Sequence, residues 1–158
     1  MQRQGLDINH FKKACRDAGL KLTPQRLEIY AELVKASDHP SPETLHRRLI
    51  QRIPSLSLDT VYRTLATFDR EGLIQKVETI QSQVRFEAIQ DSHHHLICRE
   101  CSEIIDFPWP SFDAARLPKK ADSWGLIERK SAVVYGICRK CQKRLRVKRQ
   151  RKPRSFNN

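Results

Sequence analysis

Long apolar runs are missing from this sequence. No stretch of the 158 residues is apolar for long enough to span a bilayer. The opening residues, Met1 to Gly5, are polar and do not begin an apolar run of signal-peptide length. We therefore expect a cytoplasmic protein with no membrane partner.

Acidic residues are few, and they are absent from the C-terminal end. Lys and Arg outnumber Asp and Glu by 30 to 18, a net charge of +12. This excess favours a polyanionic partner such as DNA, RNA or an anionic membrane surface. The last sixteen residues hold eight basic residues and no acid. Without those eight charges the rest of the chain carries only about +4. We expect residues 143–158 to form a basic, disordered tail.

Cysteine is scarce and odd in number, with five residues. A reducing cytosol argues against disulfides and for metal or redox roles. Four of the cysteines form two CxxC pairs, Cys98/Cys101 and Cys138/Cys141. Two such turns can complete a tetrahedral sulfur site, which favours structural zinc over the alternatives of a redox dithiol or simple packing. Cys15 stands alone in a predicted helix, where we expect it to pack in a core.

The first half of the chain has the pattern of short helices followed by one hairpin. Thr23-Pro24 and Ser41-Pro42 each place a capping residue before a proline, which is typical of helix starts. Helices are predicted over 9–18, from Pro24, from Pro42 and over 57–70, with strands over 73–78 and 83–89. The turn between the strands, residues 79–82, lacks glycine. This order predicts a winged helix-turn-helix domain over residues 1–88.

The predicted helix over 57–70 is amphipathic. Leu58, Val61, Leu65 and Phe68 recur at helical spacing and should face the core. The opposite face carries groups suited to bases and phosphates, including Thr60, Tyr62 and Arg63. The alternative is an ordinary exposed helix face.

The second half predicts a small α/β domain over residues 93–142, after a hinge over 89–92. Strands are predicted over 94–98, 104–107 and 126–137, with a helix over about 111–124. The fold class is therefore α+β.

A second cluster of candidate ligands combines imidazole and carboxylate groups. On a strand, His93 and His95 point to one face and His94 to the other. Such a site suits iron(II), manganese(II), cobalt(II) or zinc(II), and it would be more labile than the sulfur site. A polar strand end is the alternative. The cluster contains His39, Glu87, His93, His94, His95 and Asp106.

Several segments together make the family recognisable. They occur in family order over residues 8–142, and jointly they are very specific. The chain resembles the ferric uptake regulator family of bacterial metal-dependent repressors. The matching segments are Gly19–Arg26, His39–Ser41, Ser57–Leu65, Arg85–Glu87, His93–Cys101, Ile105–Phe107 and Tyr135–Cys141.

The resemblance implies a dimeric, metal-responsive repressor that binds a double-stranded DNA operator. It implies a winged-helix domain, a dimerisation domain and structural zinc on the four paired cysteines. Tyr62 and Arg63 match the family's recognition-helix positions, and Lys21 matches a lysine that reaches the minor groove. The regulatory metal site falls on His39, Glu87, His93, His95 and Asp106.

Departures from the family pattern refine these expectations. Ser92 and Lys130 stand where an extra metal site of some members needs ligands beside His94 and Asp113, so we expect that site to be absent. Ser102 replaces the usual glycine after the second cysteine.

Glu87 bears on which signal is sensed. Peroxide-sensing members typically have aspartate at this position. We therefore expect Fe(2+) as the regulatory ion, with Mn(2+) or Zn(2+) possible and peroxide sensing as the alternative.

Functions of other classes fit less well. A zinc deaminase needs His-x-Glu and Pro-Cys-x-x-Cys, which the chain lacks, and four cysteines leave no water position on zinc. We therefore expect no enzyme activity and no small-molecule substrate. A zinc-stapled protein that binds nucleic acid without specificity through its basic tail remains an alternative.

Overall fold

The computed structural model describes residues 8–79, 84–88, 92–127 and 129–150. The chain divides into two compact units, Met1–Asp91 and Ser92–Asn158. Across the described ranges, no helix combines the length and apolarity needed to cross a membrane.

The described residues of the first unit form four helices and two antiparallel paired strands. They are α1 Ile8–Asp17, α2 Pro24–Lys35, α3 Pro42–Leu49, α4 Leu58–Arg70, β1 Ile74–Glu78 and β2 Val84–Ala88. The predicted helix starts are confirmed: the side chains of Thr23, Ser41 and Ser57 each accept a hydrogen bond from a backbone N–H three residues later. Gly72, with φ +65°, ends α4 in the left-handed conformation that glycine permits. Of the predicted turn over 79–82, only Thr79 lies within the described residues.

Burial of the apolar helix faces holds this unit together. Phe11 stacks on Tyr30 with ring centroids 3.6 Å apart, and Phe68 meets Phe11 edge-on at 5.1 Å. Cys15 is fully buried in the same cluster, as predicted. Val61, Leu65 and Phe68 of α4 are buried, whereas Leu58 is only half-buried. The buried stripe fixes the rotation of α4, so that its opposite face is exposed to solvent.

The second unit is a three-stranded sheet with short helices and one longer helix. Its elements are β3 His94–Cys98, β4 Ile104–Phe107, α5 Pro110–Ala114, α6 Lys119–Asp122, β5 Val133–Gly136 and α7 Arg139–Gln150. The strand order is β4-β3-β5, with β4 antiparallel and β5 parallel to the central strand. The predicted hinge over 89–92 falls outside the described residues except for Ser92.

Three predictions for this unit need correction. The single helix over 111–124 is two helices, because Ala115 is extended and Pro118 disfavours helical backbone before it. The strand over 126–137 is limited to Val133–Gly136, which pair with β3. The expected disorder of the tail from residue 143 is wrong as far as Gln150, because α7 continues that far. Good helix formers dominate residues 139–150, and this segment contains no glycine or proline. Residues 151–158 lie outside the described ones.

Candidate metal centres

Sheet topology brings the two CxxC turns to the same place. β3 and β5 are parallel, and Cys98 at the end of β3 is in register with Gly136 at the end of β5. Parallel strands end at the same edge of a sheet, so the turns that follow them are neighbours. The Arg99 N–H donates to the Gly136 carbonyl at 2.8 Å, which ties the two turns together.

The four sulfur atoms form a compact cluster. The Sγ atoms of Cys98, Cys101, Cys138 and Cys141 all lie within 4.8 Å of one another. The Cys101 and Cys138 sulfurs are 3.8 Å apart, which matches the edge of a tetrahedron with Zn–S bonds of ~2.3 Å. All five cysteines are free thiols. The donor set and its spacing fit zinc.

Electrostatics in the cluster also favour a bound cation. Burial raises the pKa of the Cys98 thiol, but hydrogen bonds from backbone N–H groups, that of Cys138 foremost, outweigh it and lower this pKa to about 6. Burial and the neighbouring thiols raise the pKa of Cys141 to about 12. Four thiolates therefore cannot coexist at neutral pH unless a cation compensates their charge.

Arg144 is a neighbour of this cluster that the sequence analysis missed. Its Nη2 donates to the Cys141 Sγ at 3.4 Å. The spacing of three residues between them on α7 was the available signal, because residues three apart share a helix face.

In the first unit, His39 and Glu87 form a buried pair. The His39 Nε2 lies 2.9 Å from the Glu87 Oε2, and the two residues are 4% and 6% exposed. The Phe86 N–H donates to the Pro40 carbonyl, which holds the loop after α2 against β2. His39 has φ 47°, a left-handed conformation that few non-glycine residues adopt. Strain of this kind concentrates at functional sites.

In the second unit, His95 and Asp106 face each other across β3 and β4. They are register partners, and the His95 Nε2 is 3.6 Å from the Asp106 Oδ1. His95 is buried, and the ring of His93 meets it edge-on at 4.9 Å between centroids. Each unit thus carries one imidazole–carboxylate pair from the predicted regulatory ligands.

His94 points to the other face and has its own partners. The Ala132 N–H donates to its Nδ1 at 3.1 Å, and its Nε2 lies 3.3 Å from the Asp113 Oδ1. The Ser92 hydroxyl donates to the same carboxylate at 3.2 Å. The Lys130 ammonium hydrogen-bonds the Ala115 carbonyl. Ser92, His94, Asp113 and Lys130 therefore make contacts within the protein. These are the positions at which we expect the extra metal site of some family members to be absent.

The exposed face of α4 carries the predicted DNA-contacting groups. Tyr62 is 45% exposed, and its hydroxyl donates a hydrogen bond to the Glu43 carboxylate. The Arg63 side chain is 82% exposed, with its Nη1 3.7 Å from Asp59. Thr60 is half-buried at the capped end of the helix, and Lys21 is exposed before α2.

Comparison with known proteins agrees with this arrangement. Residues 17–133 match the model of the ferric uptake regulator family. The chain is 29% identical over 138 residues to the peroxide operon regulator of Bacillus subtilis, covering 87% of this chain and 95% of the relative. It is 30% identical over 128 residues to the peroxide-responsive repressor PerR of Staphylococcus aureus, covering 80% and 86%.

Solved structures agree as well. The Helicobacter pylori ferric uptake regulator Fur, described as having three functional metal-binding sites, superposes with a TM-score of 0.73 at 25% identity, covering 90% of this chain and 97% of that one. The Vibrio cholerae ferric uptake regulator Fur superposes with a TM-score of 0.64 at 31% identity, covering 81% of this chain and 99% of that one. Fold and site define a winged-helix protein whose second unit holds a four-cysteine cluster suited to zinc. The chain belongs to the ferric uptake regulator family.

Proposed function

We propose that this protein is a cytoplasmic, dimeric, metal-responsive transcriptional repressor without enzyme activity. The observation that carries the proposal is two imidazole–carboxylate contacts in a chain of this family: the buried His39 with the buried Glu87, and the buried His95 with the exposed Asp106. Imidazole nitrogens and carboxylate oxygens form a mixed donor set that suits a divalent cation such as iron(II), manganese(II) or zinc(II). The domain boundaries expected from the sequence, 1–88 and 93–142 around a hinge, belong to this proposal.

The four cysteines hold structural zinc in this account. A closed set of four sulfur ligands leaves no open position for chemistry on the metal. Zinc would supply the positive charge that lets Cys141 ionise beside three other sulfurs. The cysteine cluster therefore stabilises the fold of the second unit and takes no part in sensing.

The regulatory ion would be shared by the two units. His39 and Glu87 come from the DNA-binding unit, and His93, His95 and Asp106 come from the other. The ion would supply a charge that attracts donors of both units, so the orientation of each DNA-binding unit in the dimer becomes restricted. Metal promotes operator binding only if it binds the DNA-competent arrangement more tightly than the other one.

Iron(II) is the regulatory ion that we propose first, because Glu87 replaces the aspartate typical of peroxide sensors. Fur of Francisella tularensis has been solved with iron and Fur of Pseudomonas aeruginosa with manganese. Peroxide sensing is the second candidate, since the curated relatives described above are peroxide regulators.

Operator recognition is assigned to the exposed face of α4 and to Lys21. Tyr62 and Arg63 project from the face opposite the buried stripe, where a recognition helix contacts base edges and phosphates. Thr60 lies at the capped start of the same helix.

Dimer formation is supported by the exposed sheet of the second unit. β5 is an edge strand, and its Val133, Val134 and Tyr135 are 40–47% exposed. Leu96 of β3 and Ile105 of β4 are also exposed. Exposed apolar residues on an edge strand are typical of a surface that a second chain covers.

Replacement of His93 tests the switch. Operator binding of His93→Ala and of wild type would be titrated with iron(II), manganese(II) and zinc(II), each with and without peroxide. We expect a folded, zinc-containing dimer whose operator affinity no longer responds to the regulatory metal. Glu100→Gln, an exposed carboxylate outside the proposed ligands, is the matched control. A metal response of wild-type size in His93→Ala contradicts the assignment.

A further inference from the structure

The net positive charge of this chain is confined to its C-terminal end. The last acidic residue is Glu128, and the eighteen Lys and Arg residues before it are balanced by the eighteen acids. The other twelve of the thirty basic residues follow Glu128, and they account for the whole net charge of +12. The winged-helix unit therefore contributes little net attraction for DNA by itself.

Helix α7 contains seven of these twelve basic residues, and its first turn is anchored to the cysteine cluster. α7 begins at Arg139, directly after Cys138, and contains Cys141, which is 3% exposed. The Gln142 N–H donates to the Cys138 carbonyl at 2.9 Å. Zinc on the cysteines would thus fix where the helix starts.

One face of α7 is a row of exposed cations. Arg139, Lys143 and Arg146 are spaced by four and three residues, so they lie on one side of the helix. At about 100° per residue, this side is opposite Cys141. It is therefore distinct from Arg144, whose guanidinium donates to the Cys141 sulfur.

This row conflicts with the ordinary requirements of a helix. Like charges at such spacing repel one another, and α7 has no acid in its first turn to complement the helix dipole. The sequence of α7 contains no acid at all. Within the described residues, Lys140 pairs with Glu103 at 3.4 Å, but Arg139, Lys143 and Arg146 have no ion pair. A local rule that is broken without compensation within the chain is expected where a partner supplies the compensation. The missing compensation here is negative charge.

We propose that the Arg139–Lys143–Arg146 face of α7 binds the phosphates of duplex DNA next to the operator. The proposal rests on the proposed function, because operator binding by the winged-helix unit brings the same chain to DNA. The described side chains of α7 offer no aromatic ring for stacking unpaired bases. They also offer no exposed apolar face for insertion into lipid. Charge alone suits the regular duplex backbone.

Binding of this kind adds affinity without sequence preference. Contacts to phosphates carry no sequence information, and they release counterions, which makes affinity depend steeply on salt. α7 would therefore strengthen operator and random DNA binding alike and leave their ratio unchanged.

The test compares two triple variants of the full-length protein. One replaces Arg139, Lys143 and Arg146 with Gln; the matched control replaces Arg116, Lys119 and Lys120, which are exposed in the same unit. Dissociation constants for an operator duplex and for a random duplex of equal length would be measured against salt concentration. For the α7 variant we expect the logarithm of the dissociation constant to depend less steeply on the logarithm of the salt concentration. The magnitude of this slope should be smaller by about 0.9 for each phosphate that the helix no longer neutralises. Wild-type zinc content and circular dichroism would establish that it is folded.

Two outcomes would overturn the proposal. The α7 variant could keep the wild-type slope, or the slope of the control could change as much. If the α7 variant keeps its DNA slope but loses binding to phosphatidylserine vesicles, α7 would be assigned to a membrane surface instead. Failure of the proposed function would look different: wild type would show no operator preference or no metal response, whereas the slope comparison on random DNA would still be decided.

Discussion

His39 and Ser102 have left-handed backbones, with φ 47° and 57°. An L-residue in this region costs about 1–2 kcal/mol relative to the right-handed one. At His39 the strained backbone positions the imidazole for its buried contact with Glu87. Glycine would relieve the strain, but it would also remove the imidazole. At Ser102 the hydroxyl has no such role in this account. The backbone there serves the turn, since the Ser102 N–H donates to the Cys98 carbonyl at 2.9 Å.

Ser102→Gly should stabilise the protein. Glycine removes the left-handed penalty but adds conformational freedom to the unfolded chain worth about 0.5–1 kcal/mol. We expect the free energy of unfolding of the zinc-loaded protein to rise by about 0.5–1 kcal/mol, measured by urea denaturation. Ser102→Ala is the control, because alanine keeps the Cβ that causes the penalty. A Ser102→Gly variant that is less stable than Ser102→Ala by about 0.5–1 kcal/mol would show that the backbone at this position is not strained.

Helix α4, the proposed recognition helix, provides a prediction at the scale of an element. Arg63→Gln should weaken operator binding, because the exposed guanidinium on α4 is placed to contact a base or phosphate. A base contact would cost about 1–3 kcal/mol and act on the operator alone. Competition titrations with operator and random duplexes would separate the two kinds of contact. Arg70→Gln, at the exposed end of the same helix, is the control. If both substitutions have an equally small effect on operator affinity, Arg63 does not contact the operator.

Zinc removal tests the elements that the cysteines hold. β3, β5 and α7 meet at the cluster, so a chelator should reduce the helix and strand signals of the second unit in far-ultraviolet circular dichroism. The pKa of Cys141, raised to about 12, means that zinc must displace a proton there. Zinc affinity should therefore fall as the pH falls. Unchanged spectra after complete chelation, verified by metal analysis, would contradict the structural role.

Sequence patterns predicted the elements whose signals are local. The starts of α3 and α4 could be predicted from Ser41, which is followed by Pro42, and from Ser57, which is not followed by proline. In both cases the capping hydrogen bond joins residues only three apart. The break before Pro118 was missed, since a helix-forming composition outweighed one proline. The helix over Arg139–Gln150 could not be predicted from charge composition, because a strongly basic segment without acids is also typical of a disordered tail.

The candidate sites were predictable only in part. The Cys98 and Cys138 turns could be paired from their spacing, but the contact of Arg144 with a cysteine sulfur depends on the rotation of α7. The left-handed backbone of His39 depends on how the loop before α3 packs against β2. Such features arise from tertiary packing, which no local pattern specifies.

At the scale of the whole molecule, the chain separates three tasks. The first unit presents α4, the second holds the cysteine cluster and the exposed sheet, and the positive charge is concentrated after Glu128. Each unit also contributes one imidazole–carboxylate pair, in which the imidazole is buried. If one metal ion binds both pairs, metal binding and DNA binding must depend on each other.

Thermodynamic linkage tests this claim most directly. If a regulatory metal raises operator affinity by some factor, the operator must raise metal affinity by the same factor, typically about 5–150-fold. Iron(II) and manganese(II) affinities of the zinc-loaded protein would be measured with and without saturating operator, for wild type and His39→Ala. We predict tighter metal binding on the operator in wild type and no difference in the variant. Metal affinity that is the same with and without operator in wild type would contradict the account.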